Sequence, residues 1–246
     1  MKVTVNGFWG GYPAAEGATS SYLISSNGFD LLVDLGSGAL SKLQSKMNVM
    51  ELDSVIISHY HFDHVADIGV MQYAWKVQNI LHNTNRTLPI YGHKKDKSGF
   101  AALTHEYTKG MEYHPDQGVT IGPFRIEFLQ TNHPVPCYAM KISDDEASVV
   151  YTADSSFKEE FIPFSQDADL LITDSNFYEG MDGSKPGHMT SSECAHIATA
   201  ANVKELWLSH LPHFGELSQL QQQAQQHYQG PIRLAGDGLM WESKSS

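Results

Sequence analysis

Residues 59–64, His-Tyr-His-Phe-Asp-His, most strongly constrain the structures that this chain can adopt. They follow an apolar run at 53–58 that predicts a buried strand, and they precede a segment at 65–79 that predicts a helix. The polar side chains therefore lie on a turn at the carboxyl end of a strand, where α/β folds place their binding and catalytic groups. This placement favours an α/β fold with a functional site at the turn.

Four of these six residues carry side chains that bind metal ions. Residues two apart in an extended segment point to the same side, so His59 and His61 can bind one ion. Asp63 and His64 are adjacent at the start of the predicted helix and suit a second ion beside the first. A single His is usually structural or exposed, but four such residues in six positions after a strand predict a metal site. Imidazole and carboxylate without thiolate favour zinc, with manganese or iron as alternatives.

Three more ligand-type residues directly follow apolar runs that predict strands: His133, Asp154 and His210. Each repeats the placement of His59, and this repetition predicts that distant parts of the chain complete the metal site. Asp34 also ends an apolar run, at 31–33. Two interpretations of Asp34 stay open: a residue that caps a helix or forms a turn, and a group that orients a metal-bound His.

The net charge of −12, from 16 basic and 28 acidic residues, argues against a general nucleic-acid-binding surface. It does not argue against a phosphate held by metal ions, because bound cations dominate their local field. The 246 residues show no linker and no shift in composition, so we expect a single domain that spans residues 1–246.

The cysteines and the hydropathy of the sequence argue against several further classes of protein. The two cysteines, Cys137 and Cys194, indicate neither a zinc finger nor a disulfide framework. The first residues lack the apolar core of a signal peptide, and no stretch reaches the length of a membrane span. We therefore expect a cytoplasmic protein without a membrane partner.

Local signals predict many of the other elements. Asn27-Gly28 predicts a hairpin turn, because both residues tolerate positive φ. The segment 98–107 looks helical, and 120–129 is predicted as one strand. The two halves of the chain look alike, with hairpin strands followed by strand–loop–helix units, which suits two packed sheets with helices outside. Four histidines in polar surroundings are predicted to lie mostly at the surface: His82, His93, His105 and His114.

The ligand-type residues and their order resemble the pattern of the metallo-β-lactamase-fold hydrolases. This pattern covers nearly the whole chain: Asp34, 59–64, His133, Asp154 and His210. The resemblance implies an α/β fold of the αββα type, a four-layer sandwich of two mixed β-sheets flanked by helices. It also implies a dinuclear site at one edge of the sheets, with two Zn²⁺ ions or, alternatively, Mn²⁺ or Fe²⁺.

The resemblance further implies how the ligands divide between the two metals. His59, His61 and His133 would hold one ion. Asp63, His64 and His210 would hold the second ion. Asp154 would bridge the two.

Two residues and the chain length differ from the patterns of particular subfamilies of this fold. These differences argue against the activities of those subfamilies. β-Lactamases of this fold usually carry a Cys at the position of Asp154, and flavodiiron proteins usually carry a Glu at the position of His61. The imidazole at that position favours zinc over a redox iron pair. The length of 246 residues leaves no room for the large inserted domain of the DNA-repair and RNA-processing nucleases.

The segment 187–198 is similar to a loop of the ribonuclease Z-like branch that carries a catalytic His just before a helix, and His188 matches that His. A capping box at 190–193 predicts a helix start, whose free N–H groups favour anions. A catalytic His188 would face a phosphate oxygen; the alternative is that it only helps the loop fold. Asp174 stands where this branch has a group that supports the His.

The chain lacks the long Gly/Pro-rich arm with which ribonuclease Z clamps transfer RNA. Its nearest candidate insert, 81–99, is short. Together with the net charge of −12, this argues against transfer RNA and favours a small-molecule or nucleotide substrate. The shape of the substrate pocket is expected to depend on the loops 7–19, 81–99 and 176–188. The sequence does not decide between a monomer and a homodimer.

The expected function is hydrolysis of a phosphodiester by a dinuclear zinc site, through a hydroxide shared by the two metals. Asp63 would also orient the nucleophile, and His188 would stabilise the transition state or protonate the leaving oxygen. One alternative is hydrolysis of a carboxylic ester, lactone or thioester at the same site. Another is a metal-stabilised binding protein without catalysis, although all seven ligand candidates are present.

Overall fold

Two seven-stranded β-sheets form the centre of the structure, a computed structural model that describes residues 1–243. The strands of the first sheet, in order across it, are β14 (Met240–Glu242), β1 (Lys2–Gly7), β2 (Ser21–Ser26), β3 (Phe29–Val33), β4 (Ser54–Ile56), β5 (Leu88–Gly92) and β6 (Thr108–Glu112). Those of the second sheet are β13 (Ile232–Leu234), β12 (Leu206–Ser209), β11 (Leu170–Asp174), β10 (Ser148–Tyr151), β9 (Tyr138–Ser143), β8 (Phe124–Gln130) and β7 (Val119–Ile121).

Helices cover the outer faces of both sheets. They are α1 (Ala39–Gln44), α2 (Phe62–Val65), α3 (Ile68–His82), α4 (Lys97–Ala102), α5 (Phe161–Phe164), α6 (Ser191–Ala200) and α7 (Leu217–Gln225), with a short 3₁₀ helix at Val49–Glu51. Side chains of α1 and α3 form one outer core with the first sheet, and side chains of α5, α6 and α7 form the other outer core with the second sheet. The predicted αββα four-layer sandwich is confirmed. None of the helices described for residues 1–243 is long and apolar enough to cross a bilayer.

Neighbouring residues of a strand point into different cores. Leu31 and Val33 of β3 lie in the core between the sheets, whereas Leu32 packs with the helices outside. Val149 and Val150 of β10 divide in the same way. Because successive side chains of a strand alternate between its faces, a strand that is buried on both sides is apolar throughout. This explains the uninterrupted apolar runs of the sequence.

The strand pairings repeat in the two halves. In the first sheet, β1 to β3 pair antiparallel and β3 to β6 pair parallel. In the second sheet, β7 to β10 pair antiparallel and β10 to β13 pair parallel. Asn27 and Gly28 form the predicted hairpin turn, with φ of 51° and 76°. The two halves of the chain, which look alike in sequence, therefore repeat the same order of antiparallel and parallel strand pairings.

Some predicted elements are wrong. The segment 120–129 is not one strand but a hairpin of β7 and β8, since Gly122 has a φ of +54° that allows a tight turn. The helix predicted at 98–107 ends at Ala102. The chain then continues into β6, and neither this strand nor β14 was predicted. Both are edge strands with mostly half-buried or exposed residues, so they lack an apolar run.

The prediction that His93 lies at the surface is also wrong. His93 is 1% exposed at the end of β5, where its ring packs against Tyr60, Tyr113 and Tyr138. Burial lowers the pKa of His93 to about 4, because the charged imidazolium loses its hydration. The other three histidines of this set, His82, His105 and His114, are exposed as predicted.

Candidate metal centre

The carboxyl ends of several strands bring the candidate ligands to one edge of the sandwich. Asp154, Asp174 and His210 follow or end β10, β11 and β12, which are adjacent and parallel. Asp34 and His59 follow β3 and β4, which are also adjacent and parallel. Parallel strands end at the same edge of a sheet, so this topology collects side chains that are far apart in sequence.

The backbone at these strand ends is unusual. Asp34, Ala153 and His210 adopt left-handed conformations, with φ of 57°, 51° and 51°. Left-handed backbone is disfavoured for residues with a Cβ and is retained where the surrounding structure imposes it, often at functional sites. The left-handed residues turn the chain sharply as it leaves β3, β10 and β12, so the polar side chains gather at the edge.

The seven predicted ligands assemble into two groups that share one carboxylate. The first group contains His59, His61, His133 and Asp154, and the second contains Asp63, His64, Asp154 and His210. Within each group, one nitrogen or oxygen atom from every residue lies within 4.8 Å of the others. The structure therefore brings together all seven side chains, with Asp154 between the two groups.

Distances between facing atoms match the edges of a coordination sphere. Zinc bonds of roughly 2.0–2.1 Å in a tetrahedron place neighbouring ligand atoms about 3.3 Å apart. In the first group, Nδ1 of His61 lies 3.0 Å from Nε2 of His133. In the second group, Nε2 of His210 lies 3.1 Å from Oδ2 of Asp63 and 3.3 Å from Oδ2 of Asp154. These spacings are close to those of zinc ligands.

The remaining ring nitrogens are held by neighbouring groups. Nδ1 of His59 lies 3.1 Å from Oγ of Ser58, and Nδ1 of His64 lies 2.7 Å from Oδ2 of Asp34. Nδ1 of His133 lies 3.1 Å from the backbone oxygen of Gly187. Metal-binding histidines are commonly oriented by such a bond on the second nitrogen. The bonds leave Nε2 of these three rings facing the site.

Several buried polar atoms at the site lack a hydrogen-bond partner. Among the described residues they include Nε2 of His59, Nε2 of His64 and Oδ1 of Asp154. A buried polar atom without a partner costs free energy, and such atoms are rare in folded proteins. Metal ions in the two groups would satisfy all three atoms, so the residues fit metal binding.

The ionisable groups of the site shift one another's pKa values. Burial opposes ionisation of Asp154, but nearby imidazoles, above all His210 and His64, hold its pKa well below its ordinary value. Burial lowers the pKa of His59, and the neighbouring His64 lowers it further. Burial opposes protonation of His64 and His210, but the Asp154 carboxylate more than offsets this and raises the pKa of both rings well above the ordinary value. Because a metal ion binds the neutral imidazole, metal binding would release protons from these two rings.

Asp34 lies at the centre of a buried hydrogen-bond network. It accepts hydrogen bonds from the backbone N–H and the hydroxyl of Ser58, both at 2.8 Å, and from the Tyr151 hydroxyl at 3.0 Å. Oδ2 of Asp34 also lies 2.7 Å from Nδ1 of His64. Of the two interpretations left open for Asp34, this geometry favours a group that orients His64. The roles of Ser58 and Tyr151 were not predicted, since a Ser and a Tyr within apolar runs carry no specific signal.

His188 and Asp174 lie beside the two groups. Nδ1 of His188 lies 2.7 Å from Oδ2 of Asp174, and together with His210 the two residues form a third cluster of potential ligands. The capping box is present, because Thr190 and Glu193 each bond to the backbone of the other. His188 lies two residues before Thr190 and lines the pocket over the metal groups.

The pocket over the metal groups has a volume of about 420 Å³. Its lining includes Gly10, Gly11 and Tyr12 from one predicted loop and Asn176, Pro186 and His188 from another. The third predicted loop, 81–99, does not line this pocket. Its residues Lys95 and Lys97 line a neighbouring pocket, and His61 lines that pocket too. A contribution from Pro212, His213 and Phe214 was not predicted, although these residues closely follow His210 in sequence.

Comparisons with known proteins agree with this geometry. Residues 28–211 match the family described as Beta-lactamase superfamily domain. The probable metallo-hydrolase YhfI of Bacillus subtilis is 52% identical over 243 residues, which cover 98% of this chain and 100% of the relative. The crystal structure of YhfI matches with a TM-score of 0.96 and 51% identity, over 98% of both chains.

More distant relatives share the same fold. The ribonuclease Z of Metallosphaera sedula is 25% identical over 266 residues, which cover 86% of this chain and 88% of the relative. The crystal structure of a diphosphatase from the PhnP family has a TM-score of 0.77 at 17% identity, covering 99% and 98% of the two chains. The chain belongs to the β-lactamase superfamily and is a metal-dependent hydrolase with the metallo-β-lactamase fold.

Proposed function

We propose that this chain is a dinuclear zinc phosphodiesterase whose substrate is a small molecule or a nucleotide. The observation that carries the proposal is the pairing of His188 with Asp174 at the edge of the metal groups. Cleavage of a phosphodiester is accelerated by a group that donates a proton to the leaving oxygen, and an imidazole held by a carboxylate is well suited to this task.

The two groups of ligands would each hold one ion, with Asp154 shared between them. The donor atoms are imidazole nitrogens and carboxylate oxygens, which suit zinc and leave Mn²⁺ and Fe²⁺ as alternatives. When bound, the ions would supply positive charge that activates water near neutral pH and neutralises the charge that develops on phosphate oxygens.

The chain's own residues would position the reacting groups. The backbone N–H of Gly11 donates to Oδ2 of Asp63 at 2.8 Å, which keeps this carboxylate in place to accept a hydrogen bond from the attacking water. As water attacks phosphorus, a new P–O bond forms and the attacking oxygen releases one proton to the solvent. The ester P–O bond breaks, and the leaving oxygen takes a proton from Nε2 of His188, which is then protonated again from the solvent. The Asp174 carboxylate would hold the ring in place on its Nδ1 side.

The size of the pocket supports a small substrate. A volume of about 420 Å³ suits a molecule of nucleotide size, since pockets for small ligands usually span roughly 300–1,000 Å³. The net charge of −12 argues against an extended polyanion such as transfer RNA. The names of two relatives, a ribonuclease and a diphosphatase, both describe cleavage of P–O bonds and support the choice of phosphorus chemistry.

A substrate panel combined with metal analysis tests this proposal. The purified protein is loaded with zinc and offered bis(4-nitrophenyl) phosphate, cyclic nucleotides, a thioester, a lactone and a β-lactam. We expect hydrolysis of phosphodiesters with at least about a hundredfold preference in kcat/KM over the other classes, an advantage of about 2.8 kcal/mol in the transition state. Preferential turnover of the lactone or the thioester would contradict the proposal and favour a carboxyl-ester hydrolase.

A pair of His→Ala variants shows whether the activity belongs to the site. His133→Ala removes a member of the first metal group, whereas His82→Ala changes an exposed His on α3. We expect the first variant to lose bound zinc and phosphodiesterase activity and the second to keep both. Equal activity of the two variants would show that the hydrolysis comes from elsewhere.

A further inference from the structure

One side of the pocket is formed by aromatic rings that the metal chemistry does not use. Tyr12, His213 and Phe214 line the pocket together with the metal groups, and Trp9 packs on His213. These four residues are called the aromatic wall. We propose that the aromatic wall binds a planar ring on the organic group of the phosphoester substrate. This inference rests on the proposed phosphodiesterase function and adds a class of substrate to it.

Three of the four rings of the aromatic wall are stacked on one another, with His213 between Tyr12 and Trp9. Tyr12 and His213 have ring centroids 3.8 Å apart and an interplanar angle of 9°. Trp9 stacks on the same His213 at 4.7 Å and 16°. Nε2 of His213 also lies 2.6 Å from the backbone oxygen of Tyr12, which locks the two loops together. These three rings thus form a preformed stack, which a further flat ring can extend.

Backbone bonds hold the wall in a fixed position over the metal groups. Gly11, next to Tyr12, donates its N–H to the candidate ligand Asp63 at 2.8 Å. Gly10 donates to the backbone oxygen of Leu211, directly after the candidate ligand His210, at 3.1 Å. A Cβ on Gly10 would lie 2.8 Å from the ring of His210, so only glycine allows this close approach. A ring on the wall would therefore lie at a defined distance from a phosphate on the metals.

The outer members of the wall remain exposed although they are large and aromatic. Tyr12 is 61% exposed and Phe214 is 45% exposed. The backbone oxygen of Phe214 is held by the Tyr178 hydroxyl at 2.9 Å. Rigid aromatic faces bind planar groups at little entropic cost, and they stack on any nucleobase because every base has a π-face. An alkyl chain would gain from the same apolar surface but not from stacking geometry.

Binding of phosphomonoesters, the product class of phosphodiester cleavage, tests the inference without catalysis. Two pairs of ligands differ only in the ring: AMP with ribose 5-phosphate, and phenyl phosphate with methyl phosphate. Dissociation constants are measured by calorimetry on the zinc-loaded protein. We expect AMP to bind at least about fivefold more tightly than ribose 5-phosphate, the lower end of stacking on one aromatic residue. A matching preference for phenyl phosphate would extend the site to rings in general.

Variants of one tyrosine assign the effect to the wall. Tyr12→Leu keeps an apolar side chain but removes the ring, and we expect the AMP preference to fall to about one. Tyr12→Phe should restore it. Tyr73→Leu is the matched control, because Tyr73 is 65% exposed on α3 and lies outside the residues that line this pocket. Bound zinc is measured in each variant, so a loss of the Asp63 contact is detected separately.

The outcomes separate this inference from the proposed function. Hydrolysis of phosphodiesters together with equal binding of AMP and ribose 5-phosphate would overturn the ring-binding inference alone. A preference for AMP that survives in Tyr12→Leu would also overturn it. Failure to hydrolyse any phosphodiester, with the AMP preference present and dependent on Tyr12, would overturn the proposed reaction and leave the ring-binding site in place.

Discussion

Nδ1 of His188 lies 2.7 Å from Oδ2 of Asp174, beside the two groups of candidate metal ligands. Burial opposes protonation of His188, but the Asp174 carboxylate more than offsets this and raises the pKa of His188 above its ordinary value. The pair therefore combines a proton donor with the carboxylate that holds it. In the proposed reaction, His188 donates the proton to the leaving oxygen and Asp174 holds its ring in place.

Replacement of His188 tests its role in proton transfer. We expect His188→Ala to lower kcat for a phosphodiester by about 10²–10⁴-fold, the usual contribution of general acid catalysis. Neither four-residue metal group includes His188, so bound zinc should stay unchanged. His105→Ala, at an exposed position, is the control. Full turnover by His188→Ala, or loss of zinc from it, would remove the assigned role.

Replacement of Asp34 tests whether a residue behind the site tunes metal binding. Asp34 orients His64 through a 2.7 Å contact and is fully buried. We expect Asp34→Asn to weaken zinc binding by about 10–100-fold, because the amide no longer strengthens His64 as a ligand. Competition with a chromogenic chelator measures the affinity. Tyr151→Phe removes one donor to Asp34 and should have a smaller effect. Unchanged affinity in Asp34→Asn would contradict this role.

His93 makes the stability of the fold depend on pH. Its pKa in the folded chain is lowered to about 4, against an ordinary value of 6.5. Between these values the unfolded chain binds a proton that the folded chain does not, so the free energy of unfolding falls as the pH falls from about 6.5 to 4. The loss for a shift of this size is about 2–3 kcal/mol.

His93→Gln removes this titration. We expect the free energy of unfolding of the variant, measured with denaturant from pH 4 to pH 8, to fall less steeply than that of the unchanged protein. The two free energies of unfolding are subtracted at each pH. Protonation of the metal site affects both proteins equally, so its contribution cancels in this difference. Parallel curves would show that His93 is not buried in its neutral form.

Much of the fold and of the site follows from the sequence. Buried strands are apolar on both faces, so runs such as 31–33 and 206–209 predict both the strands and the edge where they end. A ligand-type residue directly after such a run is then placed at that edge. The placement predicts that His59, Asp154 and His210 lie close together, and in the structure they belong to the two metal groups.

The rest depends on contacts between distant segments. His93 stands among charged residues in sequence, and only the packing of three tyrosines around it buries it. The strand β6 has no apolar run because it lies at the edge of its sheet. The stack of Tyr12 on His213 joins residues 201 positions apart. None of these features leaves a local periodic signal in the sequence.

Zinc titration shows whether two metal ions act together in the pocket. Metal-free protein is prepared by chelation and titrated with Zn²⁺ while bound zinc and phosphodiester hydrolysis are measured on the same samples. We expect two zinc ions per chain at saturation, with most of the activity appearing as the second ion binds. Full activity with one ion per chain, and no further tight binding, would contradict this expectation.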